Sequence, residues 1–218
     1  RDKPVFAIAN EFLDALGIRQ IVKRSDGYKE RVITVNAEND LVFEEIDADQ
    51  NLLSYFNHSI LNSAKKGDIF EVSPARDNWL RQFGGILNKQ GGAGLFIDYG
   101  YTTFQAGDSF QAVKHHDYAD PLKTPGEADL TAHVDFSRFQ AIADETGITS
   151  YGPVTQSRFL KTLGIDIRAR ALMAGQMPDK AEQIDRDVMR LTAPDEMGAL
   201  FKVCALTSQN LPSPEGID

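Results

Sequence analysis

The sequence predicts an α/β fold whose central sheet contains parallel strands. Two short apolar runs, at residues 5–16 (VFAIANEFLDAL) and 94–100 (GLFIDYG), break at acidic or amide residues, which is typical of buried parallel strands that end in polar groups. Strand-like and helix-like segments alternate along the rest of the chain, without an internal repeat or a low-complexity block. Because ligands of open parallel sheets bind outside the carboxyl ends of the strands, the two breaks indicate a functional site.

A β-hairpin insertion is predicted to interrupt the parallel units. After a short turn of helix at residues 11–16, three β-like runs (IRQIVKR, RVITVN and LVFEEI) are separated by Asp-Gly and Glu-Asn-Asp turns, which places the insertion at about residues 18–47. Residues 69–72 (IFEV) form another short strand. A helix is predicted between the insertion and this strand. Its apolar face consists of Leu53, Phe56, Ile60 and Ala64.

Start and stop signals frame the second parallel strand. The Ser-Pro pair at residues 73–74 predicts the N-cap and first turn of a helix that ends at Gly91, directly before the strand that ends at Asp98. Residues 107–135 are less regular: a strand-like run, SFQAVKHH, precedes a stretch rich in proline and glycine. We expect this stretch to be a loop that crosses the top of the sheet.

The remaining elements complete an alternating pattern. Asp135 is expected to cap a helix, and residues 148–154 (ITSYGPV) to form a strand. Two or three helices are expected over about residues 155–192 as a helical insertion. Residues 198–206 (GALFKVCAL) form a final strand, and residues 211–218 are expected to be a loose tail.

Composition narrows the class of protein. The chain has 218 residues, of which 42% are hydrophobic and 25% charged, so it can bury the core of one or two globular domains. The 32 acidic residues outnumber the 23 basic ones, and the net charge of −9 disfavours nucleic acid as a partner. Cys204 is the single cysteine, which excludes an intrachain disulfide and fits a reducing compartment. No apolar run approaches the roughly 20 residues that span a bilayer.

Motifs from one end of the chain to the other match one protein family in the family's order. They are IANEFLDAL, KERV, GGAGLFIDYGY, GDSFQAV, DPLKTPGEADLTAHVDF, GPVTQSRFLKTLGI and MGALFKVCAL. On these motifs the chain resembles the MidA-type S-adenosylmethionine-dependent methyltransferases, whose mitochondrial member acts on an arginine of a respiratory complex I subunit during assembly. It departs from the family at Gly17, where proline is usual, and in having no counterpart of the family's glycine-rich cofactor motif.

The resemblance implies a fold and a set of partners. The fold is a Rossmann-like class I methyltransferase sheet, mostly parallel with an antiparallel last strand, that carries inserted β-hairpins and extra helices. Residues 1–210 then form the C-terminal part of one catalytic domain that lacks its N-terminal glycine-rich part. The implied cofactor is S-adenosylmethionine and the implied partner is a protein substrate with an arginine acceptor. We expect no nucleic acid and no membrane span, and leave a homodimer open. The implied compartment is the cytoplasm in bacteria or the mitochondrial matrix in eukaryotes.

The chemistry of methyl transfer selects the candidate site residues. Transfer from a sulfonium is an in-line displacement, so the protein mainly positions the nucleophile and stabilises charge. Carboxylates pair bidentately with a guanidinium, which favours Glu11 and Asp14 as catalytic residues. Asn10 is the candidate for cofactor binding. The candidates for substrate binding are Asp98, Tyr99 and His133.

Structural roles remain open for the same residues. Asn10 and Glu11 could cap the first turn of a helix, which is worth roughly 0.5–2 kcal/mol. For Asp14 alone a solvated structural role is favoured. Asp98 could accept hydrogen bonds from the backbone of the DYG turn, and Asp135 is interpreted as an N-cap rather than a catalyst.

Two other classes of function also remain open. A metal-dependent hydrolase could use Asp98, His115, His116, His133 and Asp135, although no helix carries two of them at metal-binding spacing. We predict no metal site. A non-catalytic assembly module would instead hold a protein partner in the same crevice, and a chain without the cofactor motif could be an inactive fragment.

Overall fold

The computed structural model describes residues 3–115 and 117–217, which form two compact units. The first unit comprises the described residues of 1–13, 78–103 and 134–218, and the second comprises 14–77 and 104–133. The strands are β1 (Val5–Asn10), β2 (Arg19–Arg24), β3 (Gly27–Val35), β4 (Leu41–Asp47), β5 (Ile69–Val72), β6 (Gly92–Tyr101), β7 (Gln111–Lys114), β8 (Asp117–Ala119), β9 (Asp129–Thr131), β10 (Val134–Asp135), β11 (Thr149–Thr155) and β12 (Phe201–Thr207). The helices are α1 (Gln50–Leu53), α2 (His58–Ser63), α3 (Pro74–Gln90), α4 (Arg138–Thr146), α5 (Gln156–Thr162), α6 (Ile165–Met173), α7 (Pro178–Thr192) and α8 (Met197–Leu200).

The first unit is built on a sheet with the strand order β1-β6-β12-β11. β1 runs parallel to β6, and the short β10 also pairs with β6 in parallel. β12, the last strand of the chain, is antiparallel to both of its neighbours, β6 and β11. The predicted α/β class, with a mostly parallel sheet and an antiparallel last strand, is therefore confirmed.

Glycines allow the parallel strands of this sheet to approach closely. A Cβ atom at Gly100 would lie 2.0 Å from the backbone oxygen of Val134, and one at Gly92 would lie 1.9 Å from that of Val5. Any other residue at these positions would push the paired backbone away. The glycines in the GGAGLFIDYGY run thus fix how β1 and β10 pair with β6.

The prediction that β1 is buried is wrong for one of its faces. Phe6 and Ile8 are each 78% exposed, while the residues between them are half-buried. β1 lies at the end of the strand order. The exposure of Phe6 and Ile8 shows that no described element covers the face on which they lie. An apolar run did not distinguish a covered strand from a strand with one open face.

Aromatic side chains form the core that supports the end of β1. The ring of Trp79 on α3 lies 4.9 Å from that of Phe12 and 5.9 Å from that of Phe96 on β6. Phe96 in turn contacts Phe83 on α3 and Phe139 on α4. This cluster packs α3 and α4 against the sheet and holds the segment that directly follows β1.

The prediction of a loose tail is wrong at its end. Ile217 is 2% exposed and packs in a cluster with Val154, Phe159, Val203 and Ala205. The burial of one isoleucine anchors the chain after residue 211, because an apolar side chain of this size favours the core by roughly 1.5–3 kcal/mol.

The second unit is antiparallel. Its main sheet has the order β4-β3-β2-β5, which confirms the three predicted β-like runs, and a smaller sheet has the order β8-β7-β9. β5 pairs with β2 rather than joining the parallel sheet, so the hairpin predicted at 18–47 is part of a larger unit. The core of the unit contains Ile21, Leu52, Phe56, Phe70 and Val72, with Phe104 packed against it.

Three local predictions in and beside this unit are wrong. Residues 11–16 contain no helix, because Glu11 has a left-handed φ of 48°. The single helix predicted around Phe56 consists of α1 and α2, and the side chain of Asn57 caps α2 by accepting the N–H of Ile60 at 2.9 Å. The segment predicted as a loop over the sheet instead supplies β8 and β9 to the smaller sheet.

One further helix signal is wrong and the others are confirmed. The Ser73 hydroxyl accepts the N–H of Arg76 at 3.1 Å, at the start of α3. Asp135 is not the N-cap of α4: that position is Ser137, which makes no side-chain cap hydrogen bond, and Asp135 accepts the N–H of Ser137 at 3.0 Å in the turn before the helix. α4 ends at Gly147, whose φ of 69° is left-handed. α5, α6 and α7 fall within the predicted helical segment of about 155–192.

Candidate active site

Parallel pairing brings the two predicted strand ends to one edge of the first unit's sheet. Asn10, the last residue of β1, is in register with Ile97 on β6. Glu11 follows, and its N–H donates to the backbone oxygen of Ile97 at 3.0 Å. Glu11 and Asn10 are both exposed, and the Asn10 amide donates to the Glu11 carboxylate at 3.2 Å. A carboxylate and an amide thus lie exposed together where the strand ends.

Asp98 fixes the backbone that carries this pair. One carboxylate oxygen accepts the N–H groups of Phe12 at 3.2 Å and Leu13 at 3.0 Å, and the other accepts that of Tyr99 at 3.0 Å. The residue is 1% exposed. Hydrogen bonds to a buried, charged acceptor are strong, so Asp98 holds the left-handed bend at Glu11 in place. This contact is the backbone role that the sequence left open for Asp98.

Tyr99 and Lys202 stabilise the end of β6 on its other side. The Tyr99 ring packs against Phe201 of β12 at a centroid distance of 5.4 Å. The Lys202 ammonium donates to the backbone oxygens of Gly100, Ala199 and Leu200 at 3.0, 2.6 and 3.0 Å. Burial lowers the pKa of Lys202. The sequence analysis did not identify Lys202 as a candidate. The signal that could have identified it is that Lys202 is the single basic residue within the apolar run of β12.

Asp14 and His133 lie in the second unit. The backbone oxygen of Asp14 accepts the N–H of Ala132 at 3.0 Å, and the His133 N–H donates to the Ser109 hydroxyl at 2.9 Å. Arg76, which sequence reasoning also missed, is 5% exposed and donates to the backbone oxygen of His133 at 3.0 Å. These hydrogen bonds position the segment of His133 beside that of Asp14.

The residues of the hydrolase alternative do not form a metal centre in the described part of the chain. Within residues 3–115 and 117–217, no group of three or more His, Cys, Asp and Glu side chains is placed to hold a metal ion. His116, one of the candidates, lies outside the described residues. Asp98 and Asp135 use their carboxylates to accept backbone N–H groups.

Comparison with known proteins decides the family. Residues 1–154 match the family described as "Putative S-adenosyl-L-methionine-dependent methyltransferase". This match covers more than half of the chain, including β1, β6 and the exposed pair at their edge. The chain belongs to this family. The resemblance read from the sequence motifs is confirmed.

Relatives in this methyltransferase family extend over nearly the whole chain. The chain is 33% identical over 208 residues to "Protein arginine methyltransferase NDUFAF7, mitochondrial" of Xenopus tropicalis. The matched region covers 94% of this chain and 47% of the relative. It is 30% identical over 204 residues to the human protein of the same name. This matched region covers 92% of this chain and 45% of the relative. The chain thus spans about half the length of the curated relatives it matches.

A solved structure with the same fold contains the product of the cofactor. A protein from Burkholderia thailandensis, solved in complex with S-adenosyl-homocysteine, superposes on this chain with a TM-score of 0.80 and 26% sequence identity. The superposition covers 100% of this chain and 55% of the Burkholderia protein. Among the described residues of our chain, no helix is long and apolar enough to cross a membrane.

Proposed function

We propose that this chain forms part of an S-adenosylmethionine-dependent methyltransferase that methylates an arginine side chain of a protein. The observation that carries the proposal is the exposed Glu11 carboxylate at the carboxyl end of a parallel strand, within a chain of the methyltransferase family. The names of the relatives, which are protein arginine methyltransferases, support the acceptor. The Burkholderia complex supports the cofactor.

The residues at this edge fit the cofactor chemically. Exposed amide and carboxylate groups, such as those of Asn10 and Glu11, accept hydrogen bonds from hydroxyl and ammonium groups. We therefore assign Asn10 to the cofactor. When bound, S-adenosylmethionine supplies an electrophilic methyl group on a sulfonium.

Glu11 is proposed to orient the acceptor. An arginine nitrogen forms a bond to the methyl carbon while the sulfur–carbon bond breaks, the sulfur keeps the electron pair, and the nitrogen then loses a proton to solvent. A carboxylate that pairs with the guanidinium directs one nitrogen toward the methyl group and stabilises the cation throughout. The hydrogen bonds of Asp98 keep Glu11 in place for this task. Its buried oxygens favour a positioning role for Asp98 over direct contact with substrate.

The other candidates complete the proposal. Asp14 is proposed as a second carboxylate for the acceptor, and Tyr99 and His133 as side chains that contact the substrate protein. For a bacterial chain the proposed compartment is the cytoplasm, and for a eukaryotic chain it is the mitochondrial matrix. The word "mitochondrial" in the names of the relatives supports the organelle in the eukaryotic case. A complex I subunit is the first acceptor to test in the eukaryotic case, on the resemblance described above.

The proposal is tested by replacing Glu11 in a protein that contains this chain together with the length its relatives possess. Glu11→Gln should lower the rate of arginine methylation at least tenfold, because the neutral amide cannot pair with a guanidinium as a carboxylate does. The affinity for S-adenosylmethionine, measured by calorimetry with and without a chelator, should change less than the rate. Equal turnover by the variant would remove Glu11 from the mechanism, and no cofactor binding by the parent protein would overturn the methyltransferase proposal.

A further inference from the structure

The helical segment of the first unit contains a groove whose walls include none of the candidate site residues. α5, α6 and α7 pack together around this groove, which has a volume of about 420 Å³. Most of its wall is apolar, and two of the wall residues, Leu163 and Leu172, are 50% and 46% exposed. The groove is therefore an apolar surface that opens to solvent, which is typical of a site of interaction.

Two charged side chains, Arg168 on α6 and Asp187 on α7, also line this groove. Each has apolar wall residues three positions before it and four positions after it, which places all of them on one face of their helix. These apolar neighbours are Ile165 and Leu172 on α6, and Ile184 and Leu191 on α7. The groove thus presents one basic and one acidic group, each within an apolar stripe of a different helix.

Neither charge is neutralised within the part of the chain that the structure describes. Arg168 and Asp187 form no ion pair and no side-chain hydrogen bond with any described residue. Elsewhere on α7, in contrast, Arg186 pairs with Glu182 at 3.5 Å. A basic and an acidic group that stay unpaired in an otherwise apolar groove favour a partner surface that carries the complementary charges.

A second copy of this chain is the partner that matches both charges. In a two-fold symmetric interface the same surface is used by both copies, so every contact between two different residues occurs twice. A two-fold axis through the groove would place α6 of one copy on α7 of the other, so that Arg168 faces the partner's Asp187 and Asp187 faces the partner's Arg168. The net charge of −9 repels two copies at long range, so the burial of apolar side chains would drive association and the ion pairs would set its orientation.

We propose that this groove is the interface of a homodimer, in which α6 and α7 of each copy pack on α7 and α6 of the other with reciprocal ion pairs between Arg168 and Asp187. The inference goes beyond the proposed function and does not depend on it. Two short helices from each copy form an interface at the small end of the range for specific association, so we expect a dissociation constant of about 1–100 µM.

The test reverses the charges one at a time and then together, with sedimentation velocity of the 218-residue chain as the measurement. Arg168→Asp and Asp187→Arg should each weaken the homodimer at least about tenfold, because like charges then face each other in both contacts. A mixture of these two variants should form a heterodimer about as tight as the parent homodimer, since every reversed charge then meets its opposite. The chain that carries both substitutions should dimerise like the parent.

Matched controls use the same helices and a second apolar surface. Arg170→Asp and Asp185→Arg change exposed residues two positions away from the pair, on the opposite faces of α6 and α7 and outside the groove wall, and should leave dimerisation unchanged. Leu172→Ser should weaken the dimer without any change of charge. Ile8→Ser, at a 78% exposed position on β1, should not weaken it.

The outcomes decide which occupant the groove has. A parent chain that stays monomeric up to roughly 200 µM would overturn the homodimer. A dimer that both charge reversals leave intact, or single variants that do not associate when mixed, would show that another surface mediates association. If the chain dimerises but a protein with the length of its relatives is monomeric, another part of that protein covers the groove and the proposal is wrong. Loss of methyltransferase activity with this pattern of dimerisation intact would overturn the proposed function alone.

Discussion

Replacement of Asp98 by asparagine tests the architecture of the candidate site most directly. The carboxylate of Asp98 accepts the N–H groups of Phe12 and Leu13 on one oxygen and that of Tyr99 on the other, in a position that is 1% exposed. Asparagine keeps the size of the side chain but replaces one acceptor by a donor. Its best orientation turns the amide nitrogen toward the single N–H of Tyr99 and keeps the oxygen on the other two.

The structure sets the magnitude of this effect. Leaving the partly buried N–H of Tyr99 without an acceptor costs about 1–2 kcal/mol, in the lower part of the range for buried groups, and each of the two remaining hydrogen bonds weakens by about 1 kcal/mol when its acceptor loses charge. Asp98→Asn should therefore lower the free energy of unfolding of the first unit by about 3–4 kcal/mol. In the longer protein it should also slow methylation, because the backbone that carries Glu11 loses its anchor.

The assay uses a fluorophore that the sequence provides. Trp79 is the single tryptophan, and its ring lies 4.9 Å from that of Phe12, so its fluorescence in a urea titration reports on this region. The control is Asp144→Asn, an exposed aspartate on α4 whose replacement should change stability by no more than about 0.5 kcal/mol. If Asp98→Asn unfolds at the same urea concentration as Asp144→Asn, Asp98 does not anchor the site and our reasoning is refuted.

Further predictions concern strand packing, the buried thiol and the tail. Gly100→Ala should destabilise the first unit by about 3 kcal/mol, because its Cβ would lie 2.0 Å from a backbone oxygen, whereas Gly107→Ala, with nothing within 4 Å, should behave like the parent in thermal unfolding. Burial raises the pKa of Cys204 to about 12 from its ordinary value of 9.0, so iodoacetamide at pH 8 should alkylate the native chain about 1000-fold more slowly than the urea-unfolded chain. The same shift stabilises the fold fully below pH 9, and urea titrations should show this contribution falling as the pH rises from 9 toward 12. Ile217→Ala should lower the free energy of unfolding by about 2–4 kcal/mol in a urea titration, whereas the partly exposed Leu211→Ala should lower it by less than about 1 kcal/mol. Equal effects within either pair of variants, or equal alkylation rates, would contradict these expectations.

Sequence patterns predicted where the strands and helices of this protein lie better than they predicted which of them pair or pack together. Alternating and apolar runs identified the strands, and the Ser-Pro pair and Gly147 identified helix ends, because these signals are local. The pairing of β5 with β2 is a contact over about 50 residues that no local pattern encodes. The same reason explains the missed burial of Ile217, whose neighbours come from β11, α5 and β12. Family motifs predicted the methyltransferase family, which periodicity could not.

In the candidate site, too, the sequence predicted where residues lie but not which residues they contact. The polar breaks at the ends of β1 and β6 located Asn10, Glu11 and Asp98 correctly on one edge, because parallel strands deliver their carboxyl ends together. The contacts of these three side chains could not be predicted from their spacing in the sequence. The hydrogen bonds between Asp98 and the residues after Glu11 join positions about 85 apart, and they decide why residues 11–16 form an irregular loop instead of the predicted helical turn.

The conformation of Glu11 is the strongest physical argument that its carboxylate serves a function. A non-glycine residue at a φ of 48° costs about 1–2 kcal/mol, and glycine would occupy this bend without that steric cost. Glutamate offers no local compensation of the kind that Asn or Asp provides, and its side chain is exposed rather than packed. The hydrogen bonds of Asp98 hold the following backbone and offset this strain. The buried Asp98 carboxylate thus keeps the exposed Glu11 carboxylate in position. Stability alone would favour glycine here. An exposed, strained glutamate held by a buried aspartate therefore supports the proposal that Glu11 orients the acceptor arginine.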